Sequence, residues 1–320
     1  LKKIIILYNQ VYRMPDEYVN QVRNMASGYE VMVVRQDELT DEMLEEAEVI
    51  TGHPDAERLA RARQLRWLHI QSAGVDKYAD PALLPSEDVV VTRTAGVFGT
   101  TIAEHVVGMM IALCRAFPIY EANQRDRQWK RLPEDSYREI SGATVLVVGA
   151  GDLGGEIAKR LSGFDCRILG IRRSARPSQY FDDVYGMAEL PAVLGKADFT
   201  VIALPSTEET RGMFDAGLLA AMKRDSILIN IGRGDIVDTA ALAAALQSGQ
   251  LGGAGLDVTD PEPLPEVSPL WSLDNVMITP HVSGFSPKVP ARRAKLFLDL
   301  LSRYLAGEEL YYRVDYTKGY

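Results

Sequence analysis

The chain reads as an α/β protein whose larger part is a doubly wound parallel sheet, and three observations carry that prediction. Apolar runs of strand length alternate with amphipathic or small-residue stretches of helix length along most of the sequence. One run, Thr144-Val145-Leu146-Val147-Val148, leads directly into Gly149-Ala150-Gly151-Asp152-Leu153-Gly154 and then into a helical stretch. The 320 residues, 47% hydrophobic and 25% charged, suffice for two ordinary globular domains, each with its own core.

In order, Ile4 to Tyr8, Glu30 to Val34, Val49 to Thr51, Trp67 to Ile70 and Val89 to Thr92 read as strands. Helices fit between them around Asp16 to Ala26, Thr40 to Glu46 and Ala56 to Ala62, giving a smaller α/β unit. Lys2-Lys3 before Ile4-Ile5-Ile6-Leu7 has the outline of a signal peptide, but the run is short and no small-residue cleavage site follows, so it reads as a first strand. Thr101 to Phe117 is apolar on most faces and reads as a buried helix. The polar, Arg-rich arm from Glu121 to Glu139, carrying Trp129, Leu132 and Tyr137, suits reaching across to a second subunit.

From Thr144 to Thr279 six strands are expected, opening at Thr144 and Arg167 and lying at Phe199 to Leu204, Ile227 to Ile231, Gly253 to Val258 and Val276 to Thr279. A helix from Val289 to Leu305 and a tail from Leu310 to Tyr316 have no strand-helix unit of their own and are expected to return to the first domain. The expected domains are therefore residues 1–98 with 286–320, and residues 99–285, hinged near Val97 to Thr101 and His281 to Ser286.

The net charge of −9 argues against nucleic-acid and acidic-membrane partners, and no apolar run approaches the ~20 residues of a membrane helix. Cys114 and Cys166 lack metal-ligand spacing and read as two reduced thiols, so no metal is expected and a cytoplasmic setting is the default. Small molecules are the expected partners.

The glycine run has a physical meaning between a strand and a helix. Gly149 permits the tight turn, Gly151 lets the backbone approach a pyrophosphate, and Gly154 lets helix and strand pack closely, while the helix start at Asp152-Leu153 faces the phosphates. This is a Rossmann-type dinucleotide site. An acid about 20 residues on would grip the ribose 2′-hydroxyl of NAD. Here Arg172-Arg173-Ser174 follow the second strand instead, and guanidinium groups there suit the 2′-phosphate of NADP. The plainer reading is two solvated charges at a strand end.

Three further segments end late strands, where open α/β sheets bind ligands: Asn230-Ile231-Gly232-Arg233-Gly234, Leu256-Asp257 through Pro261-Glu262-Pro263, and Thr279-Pro280-His281-Val282-Ser283-Gly284. Ile231, Gly232, Ser283 and Gly284 are accordingly counted among the cofactor contacts. Arg233 between glycines suits the carboxylate and carbonyl oxygen of a 2-oxo acid. A bond from His281 to Glu262 would favour the protonated ring, which could then protonate a carbonyl oxygen as hydride reaches its carbon. Each residue alone has an ordinary explanation as a surface charge or a turn cap. Together they point to catalysis.

These motifs, with Leu204-Pro205-Ser206-Thr207, Gln71-Ser72-Ala73-Gly74-Val75-Asp76 and Ala103-Glu104-His105, resemble the D-isomer-specific 2-hydroxyacid dehydrogenases over essentially the whole chain. The resemblance implies that Arg233 orients substrate, His281 is the acid/base and Glu262 its partner, with the amides of Ala73, Gly74 and Val75 on the substrate carboxylate. It further implies Asp257 at the nicotinamide end and Leu204, Pro205, Ser206 and Thr210 along the adenosine, in a Rossmann cofactor domain joined to a flavodoxin-like substrate domain. Glu262, where the formate-oxidising relatives carry glutamine, favours hydroxy-acid chemistry. Arg172 resembles the NADPH-preferring glyoxylate and hydroxypyruvate reductases, so a homodimeric, NADP-preferring reductase of a small 2-oxo acid is the expectation, with NAD also usable.

His53 in Thr51-Gly52-His53-Pro54 is a candidate substrate contact, as are Tyr12, Arg13, Met14 and Phe285, whereas His69 and His105 read as packing residues. Two alternatives stay open: a dinucleotide-sensing regulator on the same fold, and an NAD-linked oxidation such as that of 3-phosphoglycerate.

Overall fold

The computed structural model describes residues 1–316, so positions 317–320 of the expected first domain lie outside the described residues. The chain begins with β1 (Lys2–Tyr8), α1 (Asp16–Met25), β2 (Tyr29–Arg35), α2 (Asp41–Glu46), β3 (Ala47–Thr51), β4 (Trp67–Ile70) and β5 (Val90–Arg93). Next come α3 (Gly99–Cys114), α4 (Phe117–Arg125), β6 (Thr144–Val148), α5 (Asp152–Leu161), β7 (Arg167–Ile171), β8 (Asp183–Tyr185), α6 (Leu190–Leu194) and β9 (Phe199–Ile202). Last are α7 (Ala216–Ala221), β10 (Ser226–Asn230), α8 (Thr239–Gln247), β11 (Leu251–Leu256), β12 (Val276–Ile278) and α9 (Val289–Ala306). The chain divides into two compact units, residues 1–98 with those from Ser286 on, and Gly99–Phe285.

Unit 1 is a parallel sheet in the order β2-β1-β3-β4-β5. That is the flavodoxin-like order, in which the winding reverses between β1 and β3 and leaves a crevice at their carboxyl ends. Ile4, Ile5, Ile6 and Leu7 of β1 are all buried, because layers cover both faces of the sheet. Leu44, Leu59 and Val75 pack on one face, and Val22 of α1 with Phe297, Leu300 and Leu301 of α9 pack on the other. Helix α9 has Pro290 in its first turn and ends at Gly307 in the left-handed region, both common boundary residues. The tail then runs antiparallel along β5, with Val314 N–H on the Val91 carbonyl at 2.9 Å, which covers an otherwise open edge.

One expectation in unit 1 is corrected. The helix expected around Ala56 to Ala62 is a 3-10 helix over Ala56–Arg61, started by Asp55 accepting from the Glu57 amide.

Unit 2 is a parallel sheet in the order β12-β11-β10-β9-β6-β7-β8, reversing between β6 and β9. Here the expected six strands become seven. Strand β8 is a three-residue edge strand, Asp183-Val184-Tyr185, too short and polar to give a periodic signal. The expected single helix from Thr101 to Phe117 is also corrected: α3 stops at Cys114, Ala116 turns left-handed at φ 54°, and α4 restarts with Pro118 in its first turn.

Among the described residues no single helix is long and apolar enough to cross a membrane. The α3–α4 pair, bent by 70°, matches a broken span in length and composition, yet Ala103, Val106, Met109 and Met110 of α3 are buried in unit 2. The glycines of β11 explain the fit: a Cβ on Gly255 would lie 2.9 Å from the Met109 sulfur. Cys114 and Cys166 are free thiols, and burial pushes the Cys114 thiol up to about 11.

Candidate active site

The turn after β6 has the conformation that its glycines allow. Gly149 sits at φ 112°, and a Cβ there would lie 2.5 Å from the Ala203 carbonyl oxygen; one on Gly154 would meet the Gly149 oxygen at 2.3 Å. A Cβ on Gly151 would meet nothing within 4 Å, so the side of the turn that a pyrophosphate would approach is open. Helix α5 starts there with no side-chain cap, leaving its first amides and the positive end of its dipole for an anion. These features fit a dinucleotide.

On the neighbouring strand, Arg172, Arg173 and Ser174 follow β7 directly. The Arg172 amide is fixed on the Tyr185 carbonyl at 3.1 Å, and its half-buried guanidinium has no hydrogen-bond or ion-pair partner among the described residues. Arg173 lies 3.7 Å from Glu209. Arg176, not singled out in the sequence, joins them by donating to Ser174 Oγ at 3.3 Å. A third arginine two residues past Ser174 was the available signal.

Across the switch point, the loop after β9 is held by its own hydroxyls. Thr210 Oγ1 donates to the Pro205 carbonyl at 2.7 Å and accepts from the Thr207 amide at 2.8 Å, while Ser206 donates to Asp235 at 2.6 Å. Thr210 and Ser206 thereby shape the loop on which Leu204 and Pro205 sit. Gly232 packs on it so closely that a Cβ would lie 2.5 Å from the Leu204 oxygen.

Arg233 stands on a loop fixed at both ends. Asn230 accepts from the Gly232 amide at 3.1 Å and donates to the Arg233 carbonyl at 2.9 Å. Gly234 lies against Thr259, whose carbonyl oxygen would be 1.9 Å from any Cβ. The loop after β10 is thus pressed onto the loop that carries Glu262, in which the Asp260–Pro261 and Glu262–Pro263 bonds are cis.

At the end of β12, His281 Nδ1 is 2.8 Å from Glu262 Oε1, both side chains being about half exposed. The carboxylate accepts the Nδ1 proton, which fixes the ring and leaves Nε2 for a ligand. His281 itself adopts φ 54°, an unfavourable conformation for a residue with a Cβ. What holds it is Asp257: its backbone oxygen accepts from the His281 amide at 2.8 Å, and its buried carboxylate accepts from the amides of Val282 and Ser283 at 2.9 and 3.0 Å and from Thr279 Oγ1 at 2.6 Å. Burial alone would raise the Asp257 carboxyl, but these bonds outweigh it and keep it below the usual carboxylate range. His105 of α3 reaches Thr279 Oγ1 at 3.0 Å, so it braces the same loop. The bracing roles of Asp257 and His105 were not visible in the sequence, where a lone acid after an apolar strand gives no sign of what it accepts.

In unit 1, Ala73, Gly74 and Val75 lie in the loop after β4, and none of their three amides has an acceptor among the described residues. Successive unpaired amides of this kind suit an anion. Ser72 Oγ donates to the Gly74 carbonyl at 2.7 Å and lies 3.1 Å from His53 Nε2, so His53 stands beside this loop. His69, by contrast, is sealed within the sheet.

The description "D-isomer specific 2-hydroxyacid dehydrogenase, NAD binding domain" matches residues 107–283, more than half of the chain. The chain belongs to that family. It is therefore an NAD(P)-dependent oxidoreductase, of a family that acts on small 2-oxo or 2-hydroxy acids. A glyoxylate reductase of Thermofilum pendens is 36% identical over 81% of this chain and 78% of its own. The glyoxylate/hydroxypyruvate reductase B of Citrobacter koseri is 31% identical over 96% of each chain. Among solved structures, an NADPH-dependent glyoxylate/hydroxypyruvate reductase of Sinorhizobium meliloti, in complex with NADP and sulfate, superimposes with a TM-score of 0.83 at 29% identity, covering 100% of both chains. Among the described residues of this dehydrogenase no group of three or more His, Cys, Asp or Glu forms a metal site.

Proposed function

We propose that this dehydrogenase prefers NADP and works as a reductase of a 2-oxo acid, giving the D-2-hydroxy acid. The observation that carries the reaction is the 2.8 Å pair between His281 Nδ1 and Glu262 Oε1 at the carboxyl edge of the cofactor sheet. The NADP preference is supported by Arg172, a guanidinium without a partner among the described residues where an NAD enzyme would carry an acid, and by relatives crystallised with NADP.

In this reading Gly149, Gly151 and Gly154 with the amides of Asp152 and Leu153 take the pyrophosphate, and Arg172, Arg173 and Ser174 take the 2′-phosphate. Leu204, Pro205, Ser206 and Thr210 border the adenosine, while Ile231, Gly232, Asp257, Ser283 and Gly284 border the nicotinamide end, Asp257 through the loop that it braces. The bound nicotinamide supplies the hydride. Arg233 holds the substrate carboxylate and draws electron density from the carbonyl with its two-pronged donors. His281 gives its Nε2 proton to the oxygen on C2 and becomes a neutral ring whose Nδ1–H stays on Glu262. Unit 1 is the substrate domain in this reading, with the Ala73–Val75 amides on the carboxylate and His53 beside them. Homodimerisation is supported by the arm after α4, where Trp129 is 95% exposed and Tyr137 ties the arm to Tyr120 of α4 through their hydroxyls.

Steady-state assays of a panel of 2-oxo acids with NADPH and NADH in parallel test the proposal. Expected is reduction of at least one acid with kcat/KM for NADPH about tenfold or more above NADH. Preference for NADH overturns the cofactor assignment. Binding of NADPH with no turnover of any acid would instead favour a dinucleotide sensor.

A further inference from the structure

The carboxyl rim of unit 1 holds a buried guanidinium that the reaction above does not use. Arg293, in α9, is only 7% exposed, yet no carboxylate of a described residue lies within ion-pair distance of it. Its guanidinium carbon stands 4.6 Å over the Tyr12 ring. Tyr12 in turn lies 4.4 Å from the His53 ring, and His53 reaches Ser72 of the Ala73–Val75 loop. A continuous row of contacts thus joins Arg293 to the loop proposed to hold the substrate carboxylate, all within unit 1 and across the carboxyl ends of β1, β3 and β4. This is the crevice that the strand order creates.

Arg293 also lines a small cavity with Met14, Thr51, His69 and Gln71. Its volume of about 10 Å³ has room for roughly one water, or for the oxygen of an incoming group. A mostly buried guanidinium with no hydrogen bond to a described residue keeps its donors for a ligand: the Tyr12 face attracts its charge but accepts no N–H bond in the guanidinium plane. Burial pushes Arg293 down from its usual pKa, and His53 is pushed down to about 4, by burial first and then by the positive charge of Arg293. An anion would complement this arrangement, and a flat carboxylate matches the planar guanidinium fork.

We propose that Arg293 is a specificity determinant that takes a second carboxylate, so that the preferred substrates are 2-oxo acids whose side chain itself ends in a carboxylate. Tyr12 and His53 are positioning residues that hold the guanidinium against the rim. The assignment of substrate class rests on the reductase reading; the carboxylate site in unit 1 does not.

Kinetics with NADPH on pairs of equal chain length, oxaloacetate against 2-oxobutyrate and 2-oxoglutarate against 2-oxovalerate, test the class. The wild-type protein is expected to favour one diacid over its monoacid partner by about tenfold or more in kcat/KM. Arg293→Met should raise the diacid KM about tenfold more than the monoacid KM, with kcat changed far less, and Arg293→Lys should recover part of the loss. A wild-type preference for both monoacids, or an equal KM rise for both acids, overturns the proposal.

Thermal denaturation with succinate and butyrate reads the site without turnover. Succinate should raise the wild-type Tm by about 2 °C or more over butyrate and lose that advantage in Arg293→Met. If no 2-oxo acid is reduced, the reductase reading fails and the succinate shift alone decides the site. Should Arg293→Met not fold, Tyr12→Leu serves instead: loss of the succinate advantage supports the assignment, and its retention overturns it.

Discussion

His281 and His69 both follow apolar strand residues, yet the two units make opposite uses of them. His281 stands at the rim of unit 2 in a left-handed conformation, about half exposed, with a carboxylate on Nδ1. His69 lies inside the sheet of unit 1, 1% exposed, between two hydroxyls. Trp67 Nε1 donates to Thr92 Oγ1 at 2.8 Å, whose hydroxyl serves His69 Nδ1 at 2.9 Å; His69 Nε2 meets Thr94 Oγ1 at 3.2 Å, which donates to the Ile70 carbonyl at 3.0 Å. This chain of donors closes around a neutral ring carrying its proton on Nε2. Burial accordingly pushes His69 down to about 3. The same side chain is the proposed proton donor where a carboxylate and solvent meet it, and a neutral packing group where only hydroxyls do.

The largest expected effect tests the proton-carrying side. His281→Asn should lower kcat by about 10³-fold with NADPH binding nearly intact by fluorescence titration. Retained turnover would remove His281 from the chemistry, and with it the contrast to His69. Next in size is the support of that rim: Gly234→Ala places a Cβ 1.9 Å from the Thr259 oxygen and should cost about 3 kcal/mol of stability in urea unfolding, since backbone must move. A loss under 0.5 kcal/mol would show that the loop is not pressed onto its neighbour.

Arg172→Ala with Arg173→Ala should raise the NADPH KM about 30-fold, roughly 2 kcal/mol, and leave the NADH KM within about threefold. Equal effects on the two cofactors would reject the 2′-phosphate role. The smallest effect tests the buried histidine. With His69 depressed to about 3 in the folded state from 6.5 when unfolded, the unfolded chain binds the extra proton first. Stability is therefore unaffected by this group above pH 6.5 and falls as pH drops below it, by up to about 1.4 kcal/mol per pH unit, down to about pH 3. His69→Gln should flatten that slope between pH 6.5 and 5, and an unchanged slope would mean that His69 takes up its proton without unfolding.

Most of the framework was legible because its signals are local. Apolar runs marked β1 to β7 and β9 to β12 within a few residues, and the glycine turn announced the start of α5. Strand β8 was missed because three residues of an edge strand carry no period, and the break at Ala116 because a left-handed alanine looks like any other in the sequence. At the site, Glu262 and His281 were readable as residues worth pairing, and the resemblance put Asp257 at the nicotinamide end, but its bracing of the His281 loop was not legible.

The sequence by itself determined which chemistry is available: the glycines that only a tight turn needs, arginines in place of an acid after β7, and an Arg, Glu and His at the ends of late strands. Those follow from residue identity and order along the chain. The tertiary structure decided what each group faces. It gave His281 a carboxylate and His69 two hydroxyls, turned Asp257 inward as a brace, and buried Arg293 under the Tyr12 ring. The protonation and role of a polar side chain depend on its solvation and its partners, and these come from strands and helices distant in sequence.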